Sequence, residues 1–127
     1  MPTESESSNV VPAHGLYDDG VLRIAATGNP RGLAIAGEVD EDTYPALVAK
    51  LEELAGADEI HLNLAGVQYC DLAGLRAMTR LAGVGGSRNS RRVVLHGVPQ
   101  KLRTVLSILG WDSIPGLVID HEGSDHQ

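Results

Sequence analysis

The run Glu59-Ile60-His61-Leu62-Asn63-Leu64 constrains the fold more than any other stretch of this chain. Apolar and polar residues alternate along it, so an extended backbone places Ile60, Leu62 and Leu64 on one face. A few residues later the period changes. Leu75, Met78 and Ala82 recur at the three-and-four spacing of a helix, Asp71 stands where an N-cap belongs, and Gly83, Gly85 and Gly86 dissolve the pattern. A strand that feeds a helix opens a crossover connection, and crossovers join parallel strands.

The remaining elements fit that frame. Val21 to Ala25 and Leu33 to Ala36 are short β-prone runs joined by a Gly- and Asn-Pro-containing turn, Thr27 to Gly32, which predicts a hairpin. Tyr44, Leu47, Val48, Leu51 and Leu54 then mark one helical stripe. Asp42 or Thr43 is its candidate cap, Pro45 is tolerated in the first turn, and Gly56 supplies the stop. Arg92 to His96 is a further strand. Pro99 opens a third helix with the stripe Leu102, Val105, Leu106 and Leu109, and Gly110 followed by Trp111 suits a C-terminal cap with its apolar contact. Gly116 to Ile119 is the expected last strand. The order β-β-α-β-α-β-α-β predicts an α/β domain: a mostly parallel, mixed sheet with one antiparallel hairpin strand and helices on a single face.

A chain of 127 residues, 43% of them hydrophobic, suffices for one such core. Residues 15–120 are expected to form it, between a polar leader, 1–14, expected to be disordered, and a flexible tail, 121–127. No apolar run approaches the roughly 20 residues that cross a bilayer, and Met1 to Asn9 carries no Lys or Arg of the kind a secretory signal uses. A cytoplasmic location is the expectation.

The net charge of −7 repels phosphate backbones and anionic lipid, so neither nucleic acid nor membrane is expected as a partner. Arg88, Arg91 and Arg92 cluster without an aromatic neighbour and read as a solvated rim. The 3% aromatic content also removes the stacking platforms of single-strand binders.

Enzyme signatures are missing. There is no Gly-x-Ser-x-Gly elbow, Walker loop or dinucleotide fingerprint, and the five histidines show no metal-ligand spacing, so no catalytic residue, metal or cofactor is expected. His61 and His96 are placed on strand faces near each other. Cys70 is the single thiol. Its position before a helix N-terminus can lower a thiol pKa, but it has no resolving partner, and packing is the favoured reading over a redox sensor or enzyme.

What remains is the segment Leu62 to Leu75 with Gly37-Glu38-Val39-Asp40 and the helix that follows Val98-Pro99. The strand is expected to end near Leu64, with a short loop carrying the chain to Asp71. Together, over about Val21 to Ile119, these segments resemble the STAS domain, named for sulphate transporters and anti-sigma factor antagonists. Gly37, Glu38, Val39 and Asp40 match the family's Gly-Glu-hydrophobic-Asp element. The family's junction usually reads hydrophobic-Asp-Ser-Ser/Thr-Gly-Leu, and Asp71, Gly74 and Leu75 match it in place. Leu72 stands at the usual phosphoacceptor serine and Ala73 at the neighbouring hydroxyl. The resemblance implies a non-enzymatic regulator in a partner-switching pathway. Its implied partner is an anti-sigma factor, a histidine-kinase-like serine kinase, or a related regulatory protein.

The implied contact residues are Gly37, Glu38, Asp40, Gln68, Tyr69, Cys70, Asp71, Leu72, Ala73, Gly74, Leu75 and Arg76. A phosphoryl group on the first turn of a helix adds roughly −1.5 to −2 charge and makes a neutral docking surface repulsive. Leucine has no oxygen to accept one. Binding is therefore expected to be constitutive or controlled elsewhere, and two orientations of Leu72 stay open: outward as an anchor, or inward as packing. Asp71 is expected to cap its helix and Gly74 to permit a close approach. An alternative role for the same fold is a stand-alone accessory subunit of an ABC-type transporter.

Overall fold

The computed structural model describes residues 16–28, 31–54, 57–83 and 92–120. The expected leader and tail, the stop at Gly56, the glycines at 85 and 86, and Arg88 and Arg91 lie outside them. The elements are β1 (Leu16–Asp18), β2 (Leu22–Gly28), β3 (Arg31–Val39), α1 (Tyr44–Glu52), β4 (Glu59–Cys70), α2 (Leu72–Gly83), β5 (Arg92–His96), α3 (Gln100–Leu109), a 3-10 turn (Trp111–Ser113) and β6 (Leu117–Asp120). The six strands lie in chain order across one sheet. β1, β2 and β3 are antiparallel neighbours, and β3 through β6 pair in parallel. The predicted α/β order therefore holds, with one edge strand added at its start.

Why the helices share one face follows from the strand periodicity. Leu22 and Ile24 of β2, Leu33 and Ile35 of β3, Ile60, Leu62 and Leu64 of β4, and Val93 and Leu95 of β5 point the same way and are buried. Against them lie Leu47 and Leu51 of α1, Leu75, Met78 and Ala82 of α2, and Leu102 and Leu106 of α3, in one continuous apolar cluster. Removal of this much apolar surface from water is the main force holding the helices to the sheet. Leu109, expected to complete the α3 stripe, is 41% exposed. It lies in the last helical turn, where Gly110 adopts φ 75° and turns the chain away, and Trp111 packs against the core instead.

The largest departure from the sequence reading is β4, which does not stop at Leu64 but continues to Cys70. Its pairing with β3 skips a residue twice, between Asn63 and Gly66 and between Val67 and Tyr69, each time with the extra residue on β4. A β-bulge reverses which face the following residues occupy. The first one turns Val67 into the core, although it is out of step with Ile60, Leu62 and Leu64. The strand thus delivers Gln68, Tyr69 and Cys70 directly to the start of α2, with no intervening loop.

Candidate functional site

The ends of β3 and β4 are held side by side where both feed helices. Glu38 pairs with Tyr69 and Val39 with Cys70, and the Asp71 N–H donates to the Val39 carbonyl at 3.0 Å. Gly37 adopts φ 99°, and the Glu38 N–H donates to the Val21 carbonyl at 3.0 Å. A Cβ at Gly37 would collide with that same Val21 oxygen, so only glycine allows this tie.

Asp40 then organises the turn into α1. Its Oδ1 accepts from the N–H groups of Asp42 and Thr43, both at 3.0 Å. Thr43 is the residue before the helix, as one of the two expected caps, yet its hydroxyl makes no cap bond to α1. The hydroxyl instead accepts from the Asp40 N–H at 2.9 Å and donates to the Glu38 carbonyl at 3.0 Å. Asp40 and Thr43 therefore lock the loop beside the junction, and neither Asp42 nor Thr43 gives α1 a side-chain cap bond.

At α2 the expected cap is in place. Asp71 Oδ1 accepts the Gly74 N–H at 2.9 Å, the side-chain bond an N-cap makes to the third helical residue. Gly74 is buried where a Cβ would run into Val39 Cγ1 and lie 3.2 Å from Cys70 Sγ, so the absence of a side chain lets α2 start directly on β3. Leu75 is 1% exposed and supports the junction from beneath; it offers no surface to a partner. Leu72 points outward and is 55% exposed, and Tyr69 beside it is 53% exposed. Glu38, Gln68, Ala73 and Arg76 are exposed as well.

The expected contact residues thus divide in two. Gly37, Asp40, Cys70, Asp71, Gly74 and Leu75 build the junction, while Glu38, Gln68, Tyr69, Leu72, Ala73 and Arg76 form its surface. Sequence spacing did not join α3 to them. A groove of about 270 Å³ runs from Val67, Gln68, Tyr69 and Cys70 to Pro99, Lys101, Leu102 and Val105. Val105 packs against the core as its stripe predicts, but it is only half-buried and also lines this groove; its incomplete burial is a tertiary property with no signature in the helical spacing.

Cys70 departs from the environment expected of a helix N-terminus. Burial, and secondarily the adjacent Asp71 carboxylate, push its thiol up to about 12. It is therefore a neutral thiol at physiological pH, the opposite of a redox-active thiolate. Among the described residues no cluster of three or more His, Cys, Asp or Glu could hold a metal ion, and no helix is long and apolar enough to cross a membrane.

A family model described as "Mlab, STAS domain" matches residues 22–119, nearly all of the sheet and its helices. The chain belongs to the STAS domain family. A search of curated proteins finds no match. Among solved structures, the chain is similar to an anti-sigma factor antagonist from Mycobacterium paratuberculosis, with 21% identity, 81% of each chain covered and a TM-score of 0.56. It is also similar to the anti-sigma factor antagonist SpoIIAA in its unphosphorylated form, at 19% identity over 73% of this chain and 84% of that one, with a TM-score of 0.48. The phosphorylated Bacillus SpoIIAA matches at 24% identity, 73% and 86% coverage and a TM-score of 0.48. At these identities the likeness is one of fold.

Proposed function

We propose that this STAS domain works as a non-enzymatic regulator, docking an anti-sigma factor, a histidine-kinase-like serine kinase or a related regulatory protein on the surface from Tyr69 to Arg76. Docking at this surface is independent of phosphorylation at the junction. The observation that carries the reading is Leu72: at the position matched to the family's phosphoacceptor, it is an exposed apolar side chain at the start of α2, beside Tyr69. Neither Leu72 nor Ala73 has a hydroxyl, so the charge that disperses such a contact cannot be added there. An exposed leucine and tyrosine next to a groove offer apolar surface to a protein partner, and burying the 55% of Leu72 that is exposed contributes about 0.8 to 1.7 kcal/mol.

The test is photocrosslinking in the source cells, with a benzophenone amino acid at position 72 and, as control, at position 23 on the opposite face of the sheet. The reading expects one predominant protein adduct from position 72, with none of it from position 23. Equal adducts from both positions, or none from position 72, would overturn it. An adduct with a transporter ATPase would replace the proposed partner class with that of an ABC-type accessory subunit.

A further inference from the structure

On the face of the sheet that carries no helix, four side chains from three strands form one hydrogen-bonded chain. Glu59 Oε2 lies 2.8 Å from His61 Nε2. His61 Nδ1 lies 2.7 Å from His96 Nε2, and His96 Nδ1 lies 2.7 Å from Asp120 Oδ2. The two imidazole planes are inclined by only 15° with centroids 5.0 Å apart, so the facing nitrogens of the two rings meet edge to edge. They are half-buried, with side-chain exposures of 17% for His61 and 33% for His96.

The proton count of this chain follows from its geometry. An ionised carboxylate only accepts, so His61 Nε2 and His96 Nδ1 must each carry a hydrogen for Glu59 and Asp120. The central contact needs one hydrogen, and only one. With none, two lone pairs face each other at 2.7 Å; with two, two N–H groups collide. Three protons on four ring nitrogens make one imidazolium and one neutral imidazole.

We propose that His61 and His96 share a single extra proton, making Glu59–His61–His96–Asp120 a pH-sensitive latch that fastens the edge strand β6 to the centre of the sheet. Among the described strands β6 stands at the sheet edge and pairs with β5, through four residue pairs that end at His96 and Asp120. The latch adds a side-chain tie across that end, continued to β4 through His61. Among the described residues, Arg92 of β5 also faces the chain, with its Nε 3.5 Å from Glu59 Oε1. On β3 the residues in register with His61 and Asn63 are Gly32 and Ala34, neither of which titrates. On β5 and β6, Val94 and Val118 fill the face beside the rings.

Proton linkage gives the latch a signature. Two histidines in the unfolded chain pass from two protons to none around about pH 6.5, while the folded pair keeps one. Below that pH the unfolded chain holds more protons than the folded pair, so the latch strengthens as pH rises; above it the unfolded chain holds fewer, so the latch weakens.

The experiment compares unfolding of the wild-type chain with that of a His61→Gln, His96→Gln double variant from about pH 5 to pH 8.5, above the range where Glu59 and Asp120 titrate when unfolded. The stabilisation lost in the variant should peak near about pH 6.5. On either side the corresponding folding equilibrium constant should fall by up to about tenfold per pH unit. A difference that climbs steadily towards alkaline pH means two neutral rings, one that climbs towards acid means two imidazolium rings, and a flat difference means no latch; each overturns the proposal. If the double variant does not fold, 15N NMR of histidine-labelled wild-type protein at neutral pH decides. Three protons over the four ring nitrogens support the shared proton, and two or four overturn it.

Discussion

Replacing Asp71 separates two roles that a single carboxylate combines at the junction. Its Oδ1 accepts the Gly74 N–H at 2.9 Å, and its charge raises the thiol of Cys70. Asparagine caps a helix as well as aspartate does but carries no charge, whereas alanine does neither. Asp71→Ala should therefore cost about 1 kcal/mol, within a range of about 0.5 to 2. Asp71→Asn should cost no more than the few tenths that the helix dipole takes from a first-turn anion. With a urea m-value of about 1 to 3 kcal/mol/M for a domain of this size, the alanine variant's midpoint should drop by roughly 0.3 to 1 M with m unchanged. The asparagine variant should stay close to wild type, yet its Cys70 should alkylate faster at alkaline pH, because one of the two causes raising the thiol is gone. Equal losses in the two variants would show that charge rather than the cap bond holds the start of α2, and a neutral Asp71→Ala would refute the capping argument altogether.

Three further outcomes follow from the same geometry. Cys70, with a thiol near 12, should react with iodoacetamide at neutral pH about a hundredfold or more slowly than free cysteine. Because the folded thiol keeps its proton where the unfolded one loses it, stability from this residue is complete below about pH 8.5 and lost as pH rises towards 12, a slope that Cys70→Ser should remove from an alkaline unfolding series. Gly37→Ala should destabilise by more than about 1 kcal/mol in a denaturant melt, since it meets both a φ of 99° and the Val21 carbonyl.

Much of this fold is written in local patterns. Ile60, Leu62 and Leu64, the α1 pair Leu47 and Leu51, and the α3 pair Leu102 and Leu106 are buried as their spacing predicts. The same period-two rule fails for Val67 because a bulge inserts an extra residue, and Gly66 reads as a bulge glycine only once the strand is known to run past Leu64. β1 escaped because Leu16-Tyr17-Asp18 is three residues long and exists only through its pairing with Arg23, Ile24 and Ala25. At the junction, the residues and their cap were legible, since Asp71 and Gly74 act within one turn. The outward direction of Leu72 was not, because a helix start can face either way until its sheet is in place. The groove depends on α3 meeting the end of β4, a contact across some 30 residues of chain.

The most direct measurement of the central claim is calorimetric titration of the protein captured from position 72 with wild-type chain and with Leu72→Glu. Leu72 is 55% exposed, so the substitution should leave the melting temperature unchanged and act only on the contact. Loss of the apolar anchor together with a buried negative charge should weaken binding by about a hundredfold or more, the equivalent of about 2.7 kcal/mol. Unchanged affinity in a folded Leu72→Glu chain would contradict docking through this junction.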